Sequence, residues 1–169
     1  MKKILILNGS PREDGKTAAL VKIFKAAAKE SGNEVCEEYI NGLKINSCQG
    51  CDSCMKTHKG CVQEDEDMRR IYEELSWCDV IVFASPVYYG YFSAQLKTVI
   101  DRMWAWFNLS GNARVKKETA LISTARGADY SMIRTQYGLY SDFMGWTDLG
   151  CVLGAGREAE ARKLGKSIN

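Results

Sequence analysis

Lys3-Ile4-Leu5-Ile6-Leu7-Asn8, then Gly9-Ser10-Pro11-Arg12-Glu13-Asp14-Gly15, then Lys16-Thr17-Ala18-Ala19-Leu20-Val21, is the passage on which the fold turns. Four apolar residues closed by Asn8 are too few for a globular helix and read as a buried strand. The turn formers that follow read as a loop, and Lys16 opens a helix. A strand, a short loop and a helix N-terminus together form a socket for an anion, because free N–H groups and the positive end of the helix dipole face the loop. Ser10 and Thr17 add hydroxyl donors there, while Arg12 and Lys16 add positive charge. The plainer reading is a connection whose polar residues only cap the helix.

The spacing narrows the choice of anion. A P-loop needs four residues between its glycines, and Gly15-Lys16-Thr17 would supply its end. Five residues separate Gly9 from Gly15, and no later apolar strand ends in an obvious Mg²⁺-binding Asp. Nucleoside triphosphate hydrolysis is therefore not expected. The dinucleotide pattern G-x-G-x-x-G is absent as well. What remains is a loop able to hold a terminal monophosphate, as on a mononucleotide such as FMN.

Outward from this passage, strands and helices alternate. Lys16 to Ser31 reads as a helix ended by Gly32, and Glu34 to Ile40 as an edge strand. Asp65 to Ser76 is a helix with a solvated acidic start, and Asp79 to Ala84 a buried strand. Ser93 to Phe107, Ser131 to Met144 and Gly156 to Ile168 are expected helices, with strands at 118–123 and 146–153. This order predicts an α/β fold with a parallel sheet and helices on both faces. Ligands then sit beyond the carboxyl ends of the strands, at loops 9–16, 85–92 and 124–130.

Composition agrees. The 169 residues fit one domain, 1–169, with a cysteine-bearing loop at about 44–64. A hydrophobic share of 46% beside 26% charged residues suits a soluble globular chain. A net charge of +2 is too small to argue for nucleic acid or an anionic membrane as partner. No stretch reaches transmembrane length, and the apolar run at 4–7 is too short for a signal peptide. Seven cysteines without an export signal suggest reduced thiols or ligands, hence a cytoplasmic setting.

After the 79–84 strand comes Ser85-Pro86-Val87-Tyr88-Tyr89-Gly90-Tyr91-Phe92. Pro86 stiffens it and Gly90 permits a sharp bend. Its aromatics offer a stacking wall for a flat ring, or else a plug for the sheet end. Gly9-Ser10-Pro11-Arg12, Pro86-Val87-Tyr88-Tyr89, Gln95-Leu96-Lys97 and Ile100-Asp101-Arg102 stand in the order and spacing of NAD(P)H-dependent FMN reductases. The chain resembles that flavodoxin-like group over nearly its whole length, and within it the iron–sulfur flavoproteins most closely. The resemblance implies a flavodoxin-like three-layer sandwich with a five-stranded parallel sheet in order 2-1-3-4-5, FMN at the strand ends, and dimers or tetramers. By matching positions it implies that Ser10, Arg12, Lys16 and Thr17 hold the FMN phosphate. Pro86, Val87, Tyr88, Tyr89 and Gly90 would lie along the isoalloxazine, with Thr124, Arg126 and Gly127 closing its other side. Two positions depart from the family pattern: Lys16 stands where Asn is usual, and Ala125-Arg126-Gly127 where a Gly-Gly pair is common. Lys16 is still a donor, whereas the second change bears on the third loop's contacts.

Cys48-x-x-Cys51-x-x-Cys54-x6-Cys61 is the most specific pattern in the middle of the chain. Two successive C-x-x-C steps bring three thiolates within reach of one small centre, and the span to Cys61 lets the chain fold back to it. Structural zinc more often draws its ligands as two separated pairs. Similarity to the iron–sulfur flavoprotein motif implies a [4Fe–4S] cluster; the alternative is a run of small packing thiols. Cys36, Cys78 and Cys151 flank apolar strands and are expected in the core, and His58 is expected to be a surface loop residue. Trp104, Trp106 and Phe107 cannot all face one core, so part of that set should cover the flavin or meet another subunit.

These expectations converge on an FMN-dependent oxidoreductase. It would move electrons between NAD(P)H, or a reduced carrier, and a small-molecule or protein acceptor. FMN carries the chemistry, so no catalytic side chain is assigned; Tyr88, Tyr89 and Arg126 are the pocket-shaping candidates. A non-catalytic flavodoxin-like electron carrier is the alternative.

Overall fold

The computed structural model describes residues 1–109, 115–127 and 129–169. Strands β1 (Lys3–Asn8), β2 (Glu34–Tyr39), β3 (Val80–Pro86), β4 (Glu118–Thr124) and β5 (Thr147–Leu153) form one five-stranded sheet. Its order is β2-β1-β3-β4-β5 and every pairing is parallel, the flavodoxin-like arrangement that the resemblance implied. The helices are α1 (Lys16–Glu30), α2 (Ser53–Thr57), α3 (Glu66–Trp77), α4 (Ala94–Leu109), α5 (Ser131–Met144) and α6 (Glu158–Ser167).

Period-two alternation sorts the central strands into two cores. Leu5, Leu7, Ile81, Phe83 and Leu121 face Ile71, Leu75, Leu96, Val99 and Tyr137 of α3, α4 and α5. Ile4, Ile6, Val80, Val82 and Ile122 face Leu20, Val21, Phe24 and Ala161 of α1 and α6. Because both faces are covered, β1 and β3 carry unbroken apolar runs rather than an apolar–polar alternation.

From β1 the chain builds β2 on one side and β3 on the other, so the strand order reverses between β1 and β3. Their carboxyl ends and that of β4 lie side by side: Asn8 pairs with Ala84, and Pro86 with Thr124. A crevice at that reversal is where such sheets bind ligands. The 42–64 stretch, read as aperiodic, contains the short α2 and follows a 3₁₀ turn at Ile40–Gly42. Residues Asp52 and His58, on either side of α2, both have left-handed backbones, with φ of 57° and 52°. Five helical residues between two such reversals leave no periodic signal to read. Among the described residues, no helix is long and apolar enough to cross a membrane.

Candidate functional site

Asn8 sets the first loop. Its amide donates to Glu37 Oε1 at 3.0 Å, and its Oδ1 accepts the Ser10 N–H at 3.1 Å. The Ser10 hydroxyl then donates to the Arg12 carbonyl at 2.9 Å, closing the loop on itself. Gly15 is held tightly beneath: a Cβ there would sit 3.1 Å from the Arg12 carbonyl oxygen and 3.3 Å from Ser10 Oγ. Among the described residues no side chain caps the α1 N-terminus, so the first-turn N–H groups remain open towards the loop.

A relay of serines ties the three loops together. Ser123 Oγ donates to the Ser85 carbonyl at 2.7 Å, and Ser85 Oγ accepts the Ser93 N–H at 2.8 Å. Ser93 Oγ donates to the Gly9 carbonyl at 2.7 Å and accepts the Leu96 N–H at 3.3 Å, which also caps α4. Across the site, Thr17 and Thr124 share a buried hydroxyl–hydroxyl bond of 2.7 Å. The Tyr130 hydroxyl accepts the Ala125 N–H at 2.9 Å.

These loops surround a cavity of about 550 Å³, within the range of small-molecule and cofactor pockets. Ser10, Arg12, Lys16, Thr17, Pro86, Val87, Tyr88, Thr124 and Arg126 of the expected set line it. Neither Arg12 nor Lys16 has a carboxylate partner among the described residues, which leaves two cations beside an uncapped helix end. That donor set suits a phosphate, and the Pro86–Tyr88 segment suits a flat ring. The residues present fit FMN.

Tyr89, Gly90 and Gly127 of the expected set lie outside the cavity lining. Tyr88 and Tyr91 exchange backbone hydrogen bonds of 3.1 and 3.0 Å across a two-residue turn. Both turn residues take positive φ, 51° at Tyr89 and 80° at Gly90, as a tight primed turn requires. This turn presents Tyr89 fully to solvent. Phe92 is buried against Phe83, the packing role for that ring. Pro11, Asp14, Gly15 and Ala125, all within the loops expected at the site, also line the cavity.

Cys48, Cys51, Cys54 and Cys61 line one small cavity of about 70 Å³, backed by Asp101, Arg102, Trp104 and Ala105 of α4. Burial, reinforced by the neighbouring Cys61 and Cys48 sulfurs, pushes the Cys54 thiol up. Four thiols on the lining of one cavity fit a cluster better than scattered packing residues. His58 is exposed, and its Nδ1 lies 3.2 Å from the Asn108 carbonyl oxygen. The helix start at Asp65 is not fully solvated, as the sequence had suggested. Asp65 is 6% exposed and bonds Arg102, which is 1% exposed. Burial raises the Asp65 carboxyl, but the hydrogen bond and charge of Arg102 more than offset it and hold it below the usual range.

Trp106 is buried in the core, whereas Trp104 stacks on Phe107 at 5.5 Å and both meet Phe143, which is 55% exposed. Cys78 is buried; Cys36 and Cys151 are half-buried against the same core. The Cys36 thiol donates to Glu74 Oε1 at 3.2 Å. Burial, then that carboxyl, pushes the Cys36 thiol up to about 12. Burial, together with Glu38 alongside, pushes the Glu74 carboxyl up to about 7.

Residues 2–156 match the family described as NADPH-dependent FMN reductase. The chain belongs to that family. An iron–sulfur flavoprotein of Methanocaldococcus jannaschii is 38% identical over 127 residues, covering 75% of this chain and 62% of that one. The chain spans less than two thirds of the length of the curated relatives it matches. An azoreductase from Bacillus anthracis superposes with a TM-score of 0.77 at 20% identity, over 99% of this chain and 100% of that one. A flavodoxin from the domain Archaea superposes with a TM-score of 0.64 at 15% identity, over 99% and 96%. At those identities the two structures share the fold alone. Lys16 and Arg126 both line the 550 Å³ cavity.

Proposed function

We propose that this chain is an FMN-dependent oxidoreductase, accepting electrons from NAD(P)H or a reduced carrier and passing them to a small-molecule or protein acceptor. The observation that carries this reading is the cavity itself: open helix amides, Arg12 and Lys16 at one end, and the Pro86–Tyr88 segment on another wall. Arg12, Lys16, Ser10 and the first-turn amides would hold the phosphate. Pro86, Val87 and Tyr88 would flank the ring on one side, with Thr124 and Arg126 on the other. When bound, FMN supplies both one- and two-electron chemistry, so the chain's work is to position it and exclude water. Membership of the FMN reductase family supports the same reading.

Cys48, Cys51, Cys54 and Cys61 would hold a [4Fe–4S] cluster, which adds a one-electron store. The name of the Methanocaldococcus relative supports that assignment. Seven free cysteines support a reducing, cytoplasmic setting. The half-exposed Trp104–Phe107–Phe143 face supports a dimer or tetramer.

The test is an absorption spectrum after anaerobic purification and addition of FMN, iron and sulfide. Flavin bands plus a broad shoulder bleached by dithionite are expected. A protein that stays colourless with excess FMN sinks the reading. Steady NAD(P)H oxidation separates an enzyme from a simple electron carrier. Lys16→Ala should weaken FMN binding about tenfold, the cost of one charge-assisted hydrogen bond. An unchanged flavin titration would remove Lys16 from the site.

A further inference from the structure

Arg102 is the largest fully buried side chain in the described structure, and sequence reasoning gave it no task beyond a place in a motif. Its Nη1 donates to the Asn46 carbonyl at 2.7 Å and to Asp65. Its Nη2 donates to the Gln63 carbonyl at 3.4 Å. These acceptors lie just before Cys48 and just after Cys61, so one guanidinium pins both ends of the cysteine loop. Its Nε–H remains: it is buried and has no partner among the described residues. A buried N–H of a charged group is costly to leave unbonded. Arg102 also lines the small cavity shared by the four cysteines. The four cysteine sulfurs share that wall with the side-chain oxygens of Gln49, Asp52, Gln63 and Asp101.

We infer that Arg102 is a positioning residue for the cysteine centre: its Nε–H donates to a sulfur of the cluster held by Cys48, Cys51, Cys54 and Cys61, and its charge raises that cluster's reduction potential. This rests on the cluster reading proposed above. One-electron reduction adds one negative charge at the centre and breaks no bond. A buried cation with a hydrogen bond to sulfur stabilises the more negative form, and both are known determinants of cluster potential. Loop anchoring alone would need only Nη1 and Nη2. Anchoring and tuning therefore make different predictions for Arg102 and its partner Asp65.

The experiment uses the full chain, reconstituted anaerobically with ferrous iron and sulfide. Iron per chain is counted, and the cluster midpoint is followed by electron paramagnetic resonance during dithionite titration. Arg102→Gln should lower the midpoint by about 59 mV, a tenfold weaker hold on the electron for a one-electron couple. Arg102→Lys keeps the charge but loses Nε–H, so it should lower the midpoint by less. Asp65→Asn removes an anion and keeps Nε–H, so it should not lower the midpoint at all. If Arg102→Gln fails to fold, which circular dichroism would show, the lysine and Asp65 variants decide.

A fully loaded Arg102→Lys protein with the wild-type midpoint overturns the inference. So does an Asp65→Asn protein whose midpoint falls with those of the Arg102 variants, since that pattern marks an anchor and nothing more. Wild-type protein that takes up no iron overturns the cluster reading itself, and the inference with it. Loaded wild-type protein alongside unshifted variants leaves the cluster reading standing alone.

Discussion

Gly9 and Glu74 show how single atoms set the site and its surroundings. A Cβ at Gly9 would lie 2.5 Å from Leu96 Cβ and 2.7 Å from Ser93 Oγ. The side chain must therefore be absent for the first loop to reach α4 and accept the Ser93 hydroxyl. Gly9→Ala should cost about 1–3 kcal/mol, the usual penalty for overpacking, read as a lower denaturant midpoint with an unchanged slope. A midpoint equal to wild type would show that α4 yields freely. Glu74 makes a prediction in pH. Its folded-state pKa of about 7 lies above the ordinary 4.5. Burial is the main cause; Cys36 donates to it, Glu38 repels it and Arg70 partly offsets that repulsion. The folded protein thus holds a proton that the unfolded chain releases between those two values. Stability should fall as pH rises from 4.5 to 7, then stay lower, because the native state binds more protons across that window. Glu74→Gln removes the effect, so its stability relative to wild type should improve by about 1–2 kcal/mol at pH 8 against pH 4.5, roughly half of what the full shift would give because water screens a partly buried carboxylate. Parallel pH–stability curves for the two proteins would refute the assignment.

The contact between α1 and α6 is governed by another missing side chain. A Cβ on Gly165 would sit 2.5 Å from the Phe24 carbonyl oxygen and 3.0 Å from Ala27 Cβ. The obstacle is helix backbone, which cannot rotate aside, so Gly165→Ala should push α6 off the sheet. A loss of about 1–3 kcal/mol is expected, offset only slightly by the better helix propensity of alanine. Thermal melts decide it, and a rise in melting temperature would mean that α6 is loosely held. The regular elements were legible because their signals are local. The unbroken apolar runs of β1 and β3 can belong only to strands covered on both faces, and their alternation with helices requires a parallel sheet. Helix ends were fixed by residues such as Gly32 and Gly145, whose positive φ stops a helix. The α2 segment was illegible for the opposite reason. Asp52 and His58 hold left-handed backbones that their residue types announce only weakly.

Across the whole molecule, side chains carrying charge or sulfur could be read from the sequence, while those acting through tertiary contact could not. Arg12, Lys16 and Thr17 line the expected cavity because a short loop between β1 and α1 leaves them nowhere else to go. Tyr89 looked like part of a stacking wall, yet a tight turn sends it to solvent, since backbone dihedrals rather than ring chemistry aim it. Asp65 looked solvated until Arg102, 37 residues away, came to rest against it. The two candidate sites are cavities with no lining residue in common: one at the strand ends, the other between the cysteine loop and α4. Sites that share no partner residues lose free energy independently when one is damaged. Cys51→Ser removes an exposed thiol of the proposed cluster site and leaves the serine relay and the Thr17–Thr124 bond untouched. It should abolish iron uptake while changing the FMN dissociation constant by less than about twofold, well under 1 kcal/mol. Flavin fluorescence quenching on titration measures the second quantity, and iron analysis of the same sample the first. If flavin affinity falls together with iron content, the cysteine loop supports the flavin pocket after all, and the two cavities form one cooperative unit.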